Sequence, residues 1–222
     1  MTEARRSSGA TRVERLVDVS IPFDPATPPW PGDTAWSCGW TTEMAKGGSV
    51  NLTCLNGSPH VGTHADAPLH VSADGAGADA LPLLPFVGGA QVVDVSTIAS
   101  AITLEALDAA GVLPHCTRLI LKTGRTTAKG TFPDGWPSLA PEAATELVAR
   151  GLRLLAVDCP SVDPRDSKSL DVHHAVFDGG ACVLENLDLR EIEPGHYELL
   201  ALPMPVGAID AAPVRALLRS VP

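Results

Sequence analysis

Three histidines and an aspartate lie close together in the segment SPHVGTHADAPLH, which runs from Ser58 to His70. The set consists of His60, His64, Asp66 and His70. Imidazole nitrogens suit zinc, manganese or iron, and a carboxylate helps to neutralise the charge of such an ion. A polar loop whose histidines bond to backbone groups is the alternative, but the density of the cluster favours a metal. Because no cysteine belongs to it, the set is typical of a site that leaves a position for water or substrate.

Two local geometries would bring these side chains together. Gly62 and Pro68 disfavour a long regular helix over the segment. In an extended chain, residues 60, 64, 66 and 70 would all point to one face. A single helical turn would also bring His60 next to His64, so the spacing leaves both geometries open.

Further ligands must come from elsewhere in the chain. His173 and His174 precede the apolar segment ACVLE, which ends at Glu185, and this region is a candidate for the second half of the site. Taken singly, Glu185 also fits a residue that ends or caps a strand, and His174 a surface or core histidine. His115 and His196 lie in turn-like contexts, and we predict no metal-binding role for them.

The elements that must position these residues alternate in type. Short β-branched or apolar segments predict strands, and segments with an apolar stripe predict helices, two of which, 103–111 and 141–151, end at glycine. The predicted strands are 16–21, 50–55, 90–96, 118–123, 153–158, 181–185 and 197–204, most of them buried, and the predicted helices are 103–111, 141–151 and 212–220. Residues 72–82 and 124–142 are rich in turn formers and predict loops. The pattern indicates an α/β fold with a substantial sheet.

Composition limits the class of protein. A chain of 222 residues that is 45% hydrophobic can form a single domain, which we place at 13–222, after a disordered tail at 1–12. The net charge of −10 argues against nucleic acid as a partner. Because no apolar run is long enough to span a bilayer, we expect no membrane association. The five dispersed cysteines fit free thiols in a reducing cytoplasm.

The stretch HVGTHADAPLH resembles the H-x-G-[TA]-H-x-D-x-P-x-H signature of the metal-dependent cyclase superfamily. Within it, the chain is similar to the bacterial kynurenine formamidase (arylformamidase) group along nearly its whole length. The segments that carry the similarity are WPGDT (30–34), SPHVGTHADAPLH (58–70), DCPSVDPRDSKSLDVHH (158–174), LEN (184–186), GHYELLALP (195–203) and DAAPVRALLR (210–219).

This resemblance implies a fold, a site and an assembly. The fold is a swivelling β/β/α single domain with a mixed sheet flanked by helices, and the assembly is a homodimer. The site holds two zinc ions per subunit, for which manganese or cadmium could substitute. The first ion is bound by His60, His64 and Asp66 and the second by His173, while Asp66 and Glu185 bridge both.

The remaining roles concern the reaction. The resemblance implies that His70 is the catalytic acid and base and that Trp30 lines the pocket for an aryl formamide, although simple packing explains Trp30 equally well. Zinc can lower the pKa of a bound water to about 7. The reaction that the resemblance implies is hydrolysis of N-formyl-L-kynurenine to L-kynurenine and formate, in tryptophan degradation. The alternatives are another amide or lactone hydrolase, such as an isatin hydrolase, and a metal-binding protein without catalysis. The presence of His70 beyond the ligands argues against the last.

Overall fold

The computed structural model describes residues 15–221. In this part of the chain the strands are Leu16–Asp18 (β1), Ser37–Thr42 (β2), Leu52–Asn56 (β3), His64–Asp66 (β4), Val87–Asp94 (β5), Arg118–Lys122 (β6), Leu154–Val157 (β7), Cys182–Glu185 (β8), Gly195–Leu200 (β9), Ala211–Pro213 (β10) and Leu217–Ser220 (β11). The α-helices are Leu104–Ala109 (α1), Pro141–Ala149 (α2) and Asp171–Asp178 (α3). The predicted tail at 1–12 lies outside the described residues.

Nine of these strands form one curled, mixed sheet in the order β1-β11-β9-β5-β6-β7-β8-β4-β10. The central strands β5 to β8 pair in parallel, and every other pair in the sheet is antiparallel. The predicted single-domain α/β fold is confirmed. At one end of the sheet β4 lies between β8 and the edge strand β10. The histidine motif, which contains β4, therefore belongs to the second strand from this edge.

The central strands are buried on both faces, as their continuous apolar runs indicate. Successive residues point to opposite sides of the sheet: Leu119 and Leu121 face the cluster packed against the helices, whereas Ile120 faces the cluster enclosed by the curl of the sheet. This two-sided core holds β7 and β8 firmly, so the residues at their ends occupy fixed positions.

Both predicted helices that precede β7 are present. Helix α1 begins after Thr103, whose hydroxyl accepts a hydrogen bond from the Ala106 amide at 3.3 Å. Helix α2 begins with Pro141 at its first position. Its carboxyl end is followed by Gly151, whose φ of +104° suits only glycine.

The predicted helix over 212–220 is wrong. Its residues instead form β10, which pairs with β4, and β11, which lies between β1 and β9. Ala216 and Leu218 are fully buried while Arg219 points outward and lies 3.0 Å from Glu198, so the burial follows a period of two. Sheet pairing has overridden a helix-like spacing, since the hydrogen-bond partners of these strands are distant in sequence.

The strand predicted over 50–55 is present as β3, but it is exposed rather than buried. It pairs only with β2, and every residue of β3 is exposed. Besides β10 and β11, two further strands and one helix were not predicted: β2, β4 and α3. Helix α3 begins after Leu170, which has a φ of +52° and provides no side-chain cap, so the sequence lacks a local start signal. The predicted loop at 72–82 contains a short 3₁₀ turn, Ala78–Ala80.

Candidate active site

The histidine motif folds as a turn, a short strand and a second turn. His60 lies in the first turn, His64 and Asp66 lie on β4, and His70 ends the 3₁₀ turn Pro68–His70. Gly62 makes the first turn possible, because its φ is +75° and a Cβ atom there would lie 2.7 Å from the carbonyl oxygen of Ile21. Neither predicted geometry extends over the whole motif: only His64–Asp66 is extended, and the helical turn lies at Pro68–His70 rather than between His60 and His64.

Three atoms from this motif converge on one point. His60 Nδ1 lies 3.1 Å from His64 Nε2 and 3.1 Å from Asp66 Oδ1, and His64 Nε2 lies 3.3 Å from the same oxygen. Ligands about 2.0–2.1 Å from a tetrahedral zinc ion stand about 3.3 Å from one another, by simple geometry. The spacing of the three atoms therefore fits a divalent ion at their centre.

A second group of atoms lies on the other side of the Asp66 carboxylate. His173 Nε2 lies 3.1 Å from Asp66 Oδ2 and 3.4 Å from Glu185 Oε1. The other oxygen of Glu185 lies 3.6 Å from His64 Nε2. Glu185 reaches this position because it is the direct partner of His64 in the antiparallel pairing of β4 with β8. Asp66 and Glu185 thus each place one oxygen toward each group, as bridging ligands of two ions would.

The outward nitrogen of each of these three imidazoles is held by an acceptor. His60 Nε2 lies 3.0 Å from Asp210 Oδ2, His64 Nδ1 lies 2.9 Å from the carbonyl oxygen of Gly62, and His173 Nδ1 lies 2.6 Å from Asp163 Oδ2. In the neutral form of each ring these acceptors fix the tautomer, so that its lone pair is directed inward. Histidines that bind metal ions are usually oriented in this way.

The carboxylates of the cluster favour positive charge at its centre. Burial alone would lower the pKa of His60 and of His64, but the carboxylates around them outweigh it and raise the pKa to about 9 for His60 and about 10 for His64. For His60 the main partners are Asp210 and Asp66, and for His64 they are Asp66 and Glu185. Without a metal ion, protons on the imidazoles supply the positive charge. Bound divalent ions would supply the same charge while the imidazoles stay neutral.

One buried atom tests the fit of a metal directly. Asp66 Oδ1 is fully buried, and it accepts no aligned hydrogen bond from any group in residues 15–221, although His60 Nδ1 and His64 Nε2 lie 3.1 and 3.3 Å away. A buried carboxylate oxygen without a partner is costly unless a cation occupies the space before it. Together with the donor set of imidazoles and carboxylates, this oxygen fits a divalent ion such as zinc or manganese.

His70 lies at the edge of the cluster, where one of its ring nitrogens comes within 4.8 Å of ligand atoms of Asp66 and His173. Its ring centroid is 4.4 Å from that of His60 and 5.6 Å from that of His173. Its Nδ1 atom lies 3.2 Å from Asp210 Oδ2, and its side chain remains 28% exposed. The ring is therefore close enough to the centre to exchange protons with a reacting group and open enough to meet one.

A cavity of about 290 Å³ opens onto the cluster. Its lining residues include Trp30, Asp33, His60, His70, Phe132 and Glu185. The ring of Trp30 packs edge-to-face on Phe132 at 5.3 Å and on Trp136 at 5.8 Å. Trp30 packs within an aromatic cluster and also lines the cavity.

The other histidines stand apart. His174 follows His173 on α3 but makes none of the contacts listed above, and His115 and His196 are exposed at other places in the fold. The sequence did not reveal Asp163, Asp210 or Phe132. The segment DAAPVRALLR, which begins at Asp210, had been matched to the superfamily without a role for its aspartate. Nothing in the spacing of Asp163 or Phe132 relates them to the motif.

The fold and the cluster define the class of protein: a single α/β domain with a histidine and carboxylate centre at one end of its sheet. The family model Cyclase, described as "Putative cyclase", matches residues 17–164, and the chain therefore belongs to this family. The matched range contains the whole motif from His60 to His70, whereas His173 and Glu185 lie beyond it.

Solved structures share the fold. A "potential metal-dependent hydrolase with cyclase activity" is 24% identical, with a TM-score of 0.80 over 95% of this chain and 100% of the other. A "predicted metal-dependent hydrolase" from Bacillus stearothermophilus is 25% identical, with a TM-score of 0.79 over 94% and 99%. Isatin hydrolase A from Labrenzia aggregata, bound to benzyl benzoate, is 24% identical, with a TM-score of 0.78 over 94% of each chain.

Among the described residues, no helix has both the length and the apolar character needed to cross a bilayer.

Proposed function

We propose that the chain is a metal-dependent hydrolase that converts N-formyl-L-kynurenine to L-kynurenine and formate. The observation that carries the proposal is the convergence of His60, His64, Asp66, His173 and Glu185 on two adjacent points at the end of a cavity lined by aromatic rings. The choice of substrate rests on the sequence resemblance to kynurenine formamidases.

In this proposal His60, His64 and Asp66 would hold one ion and His173 the other, with Asp66 and Glu185 available to both. Bound divalent ions supply an activated water and polarise the carbonyl group of the substrate. The chain contributes the rigidity of the site: β4 and β8 fix the bridging carboxylates, and the Val162 amide donates to Glu185 Oε1 at 2.8 Å.

His70 is proposed to move the protons. Breaking an aryl formamide requires a proton to leave the attacking water and a proton to reach the aniline nitrogen. An imidazole whose ordinary pKa lies near neutrality can do both, first as base and then as acid. The position of His70, beside the cluster and on the cavity wall, suits this role.

The aromatic wall is proposed to bind the substrate ring. Trp30 and Phe132 both line the cavity and face one another edge-on. An aryl group that enters the cavity would find ring faces and edges at packing distance, which favours it over an aliphatic chain of similar size.

Hydrolysis of isatin, a cyclic aryl amide, is the second candidate function. It is favoured by the isatin hydrolases among the structural neighbours. One of them, which is 19% identical to this chain, is bound to the product analogue thioisatinate. A metal-binding protein without catalysis remains the third alternative, and the position of His70 argues against it.

One experiment separates the three. The zinc-loaded protein is assayed by absorbance for kynurenine release from N-formyl-L-kynurenine and, in parallel, for ring opening of isatin. We expect the higher kcat/KM with N-formyl-L-kynurenine. A higher kcat/KM with isatin would replace the proposed substrate, and activity on neither would leave another amide or lactone hydrolase or the protein without catalysis.

The resemblance to kynurenine formamidases also leads us to propose a homodimer that uses zinc, and the dispersed cysteines lead us to propose a cytoplasmic location. All five cysteines are free thiols, which fits a reducing compartment. The hairpin of β2 and β3 is a two-stranded sheet with exposed Trp40 and Leu55, and such a sheet is marginal without a partner surface. The molar mass in solution, measured by light scattering, tests the dimer.

A further inference from the structure

The two histidines on the cavity wall share one carboxylate. Asp210 Oδ2 lies 3.0 Å from His60 Nε2 and 3.2 Å from His70 Nδ1. The main chain of Asp210 is anchored next to the motif, because its carbonyl oxygen accepts a hydrogen bond from the Ala67 amide at 2.8 Å. Asp210 directly precedes β10, whose first residue, Ala211, pairs with Asp66. The residue is therefore fixed relative to the histidine motif.

We propose that Asp210 is a positioning residue that acts through both imidazoles at once. Its carboxylate accepts the Nε2 proton of His60 and the Nδ1 proton of His70, and so fixes the tautomer and the ring orientation of both. The part of the proposal that concerns turnover by His70 rests on the proposed function; the part that concerns His60 and the tautomers does not.

For His60 the consequence is a fixed ligand. With Nε2–H donated to Asp210, the Nδ1 lone pair is directed toward Asp66 Oδ1, which lies 3.1 Å away. A carboxylate behind an imidazole also increases the basicity of the inner nitrogen, and loss of such a partner typically weakens metal affinity or activity by about 10–100-fold.

For His70 the consequence is a defined base. With Nδ1–H donated to Asp210, Nε2 is the nitrogen that remains able to take a proton. The ring would otherwise be free to rotate, since its side chain is 28% exposed and Asp210 Oδ2 is the one hydrogen-bond partner found for it among residues 15–221. Asp210 should therefore raise the fraction of molecules in which His70 is ready to act, without contacting the substrate.

A direct metal ligand is the rival role for Asp210. One atom each from His60, His70 and Asp210 lie within 4.8 Å of one another, a spacing that could also hold an ion. However, an ion there would take the outward nitrogen of His60, whereas its inward nitrogen is the one that faces Asp66 and His64. The shared-acceptor role accounts for both nitrogens of His60 at once.

The test compares Asp210→Asn with Asp79→Asn in the zinc-loaded full chain. Asp79 lies in the nearby turn Ala78–Ala80, so its substitution removes the same charge without removing an imidazole partner. Three quantities are measured: zinc affinity by competition with a chromophoric chelator, the tautomers of the histidines by ¹⁵N NMR, and kcat and KM with N-formyl-L-kynurenine.

For Asp210→Asn we expect zinc affinity to fall by about 10–100-fold, kcat to fall by a similar factor with KM within about twofold, and the His70 signals to show a mixture of tautomers. Asp79→Asn should match the wild type in all three. Asp210→Glu, which retains a carboxylate, should recover part of the loss. Asp210→Ser provides a second variant without the carboxylate, with the same expected losses, should the Asn variant not fold.

Two results would overturn the proposal. If Asp210→Asn lost one whole equivalent of zinc at saturating zinc, Asp210 would be a ligand. If zinc affinity and the His70 tautomer both stayed as in the wild type, the carboxylate would have no positioning role. If the wild type did not hydrolyse N-formyl-L-kynurenine, the proposed function would fail, but the affinity and NMR measurements would still decide the role of Asp210.

Discussion

At the scale of single residues, His70 and His64 provide a contrast, because both are histidines of one motif but the side chain of His64 is buried while that of His70 is partly exposed. His64 is buried between Asp66 and Glu185, whereas His70 stands on the cavity wall. The two should therefore separate metal binding from proton transfer.

We expect His70→Ala to retain metal near the wild-type content while kcat falls by about 10²–10⁴-fold, the usual contribution of a general acid or base. His64→Ala should lose metal together with activity. Metal content by atomic emission and kcat on the same samples test this pair. Parallel loss of metal and activity in the His70 variant would make His70 a ligand instead.

The role of Trp30 is tested by comparing kcat/KM for different substrates rather than by measuring metal content. Trp30→Ala should cost on the order of 1–3 kcal/mol in kcat/KM with N-formyl-L-kynurenine, from lost aromatic contact and burial. The loss should be much smaller with an aliphatic formamide, which has no ring to place against Phe132. Because Trp30 also packs on Trp136, the melting temperature of the variant is measured as well. An equal loss on both substrates would show that Trp30 acts only through packing.

At the scale of elements, the turn before β4 decides whether the motif can enter the sheet. Gly62 has a φ of +75° and lies against the carbonyl oxygens of Ile21 and Pro22, so an added Cβ would be strained and would also collide with backbone. Gly111 has a similar φ of +83°, but nothing lies within 4 Å of the position of its Cβ. Comparing substitutions at Gly111 and Gly62 therefore separates two losses in the free energy of unfolding: the strain of a positive φ, and the collision of the added Cβ with backbone.

Gly111→Ala should lower the free energy of unfolding by about 1–2 kcal/mol, the usual cost of a left-handed conformation. Gly62→Ala should lower it further and should also reduce zinc affinity, because moving the turn displaces His60 and His64. Chemical denaturation and chelator competition measure the two effects. Equal costs for the two variants, with unchanged zinc affinity, would contradict the importance of this turn.

Helix α3 shows how one residue can serve both an element and the site. The Asp163 carboxylate accepts hydrogen bonds from the Val172 and His173 amides, at the start of the helix, and also lies 2.6 Å from His173 Nδ1. The helix start is thereby tied to the orientation of the ligand it carries. Since this cap comes from a preceding loop rather than from Leu170, no local sequence signal marks the helix.

At the scale of the whole molecule, metal removal should loosen the fold, because the cluster joins parts that are far apart in sequence. It connects the turn at His60 and strand β4 with α3 and β8. Any ligand that binds only the folded state stabilises it, by about 4 kcal/mol when its concentration is 1,000 times Kd.

We expect exhaustive chelation to abolish hydrolysis and to lower the melting temperature by roughly 10 °C, the size of shift that about 4 kcal/mol gives in a domain of 150–250 residues. Added zinc should restore both. Calorimetry and the activity assay on the same samples, with and without chelator, provide the measurement. Fully active protein with less than one bound divalent ion would rule out the metal-dependent mechanism.

The sequence by itself determined the α/β class and most of the central strands, because buried strands leave apolar runs that need no knowledge of their neighbours. It also pointed to His60, His64, Asp66 and His70, since these are packed into one short segment. Their nitrogen and oxygen atoms are brought together mainly by local turns and one strand, so the spacing carried the information.

Tertiary structure decided the rest, because the remaining contacts join residues that are distant in sequence. Residues 212–220 became strands since β4, β9 and β1 offered them hydrogen-bond partners, and no local propensity shows which partners a segment will meet. The same holds for Asp163 and Asp210: a lone aspartate acquires its role from the imidazole that folding places beside it. The exposure of β3 likewise depends on the absence of any third strand beside the hairpin within residues 15–221.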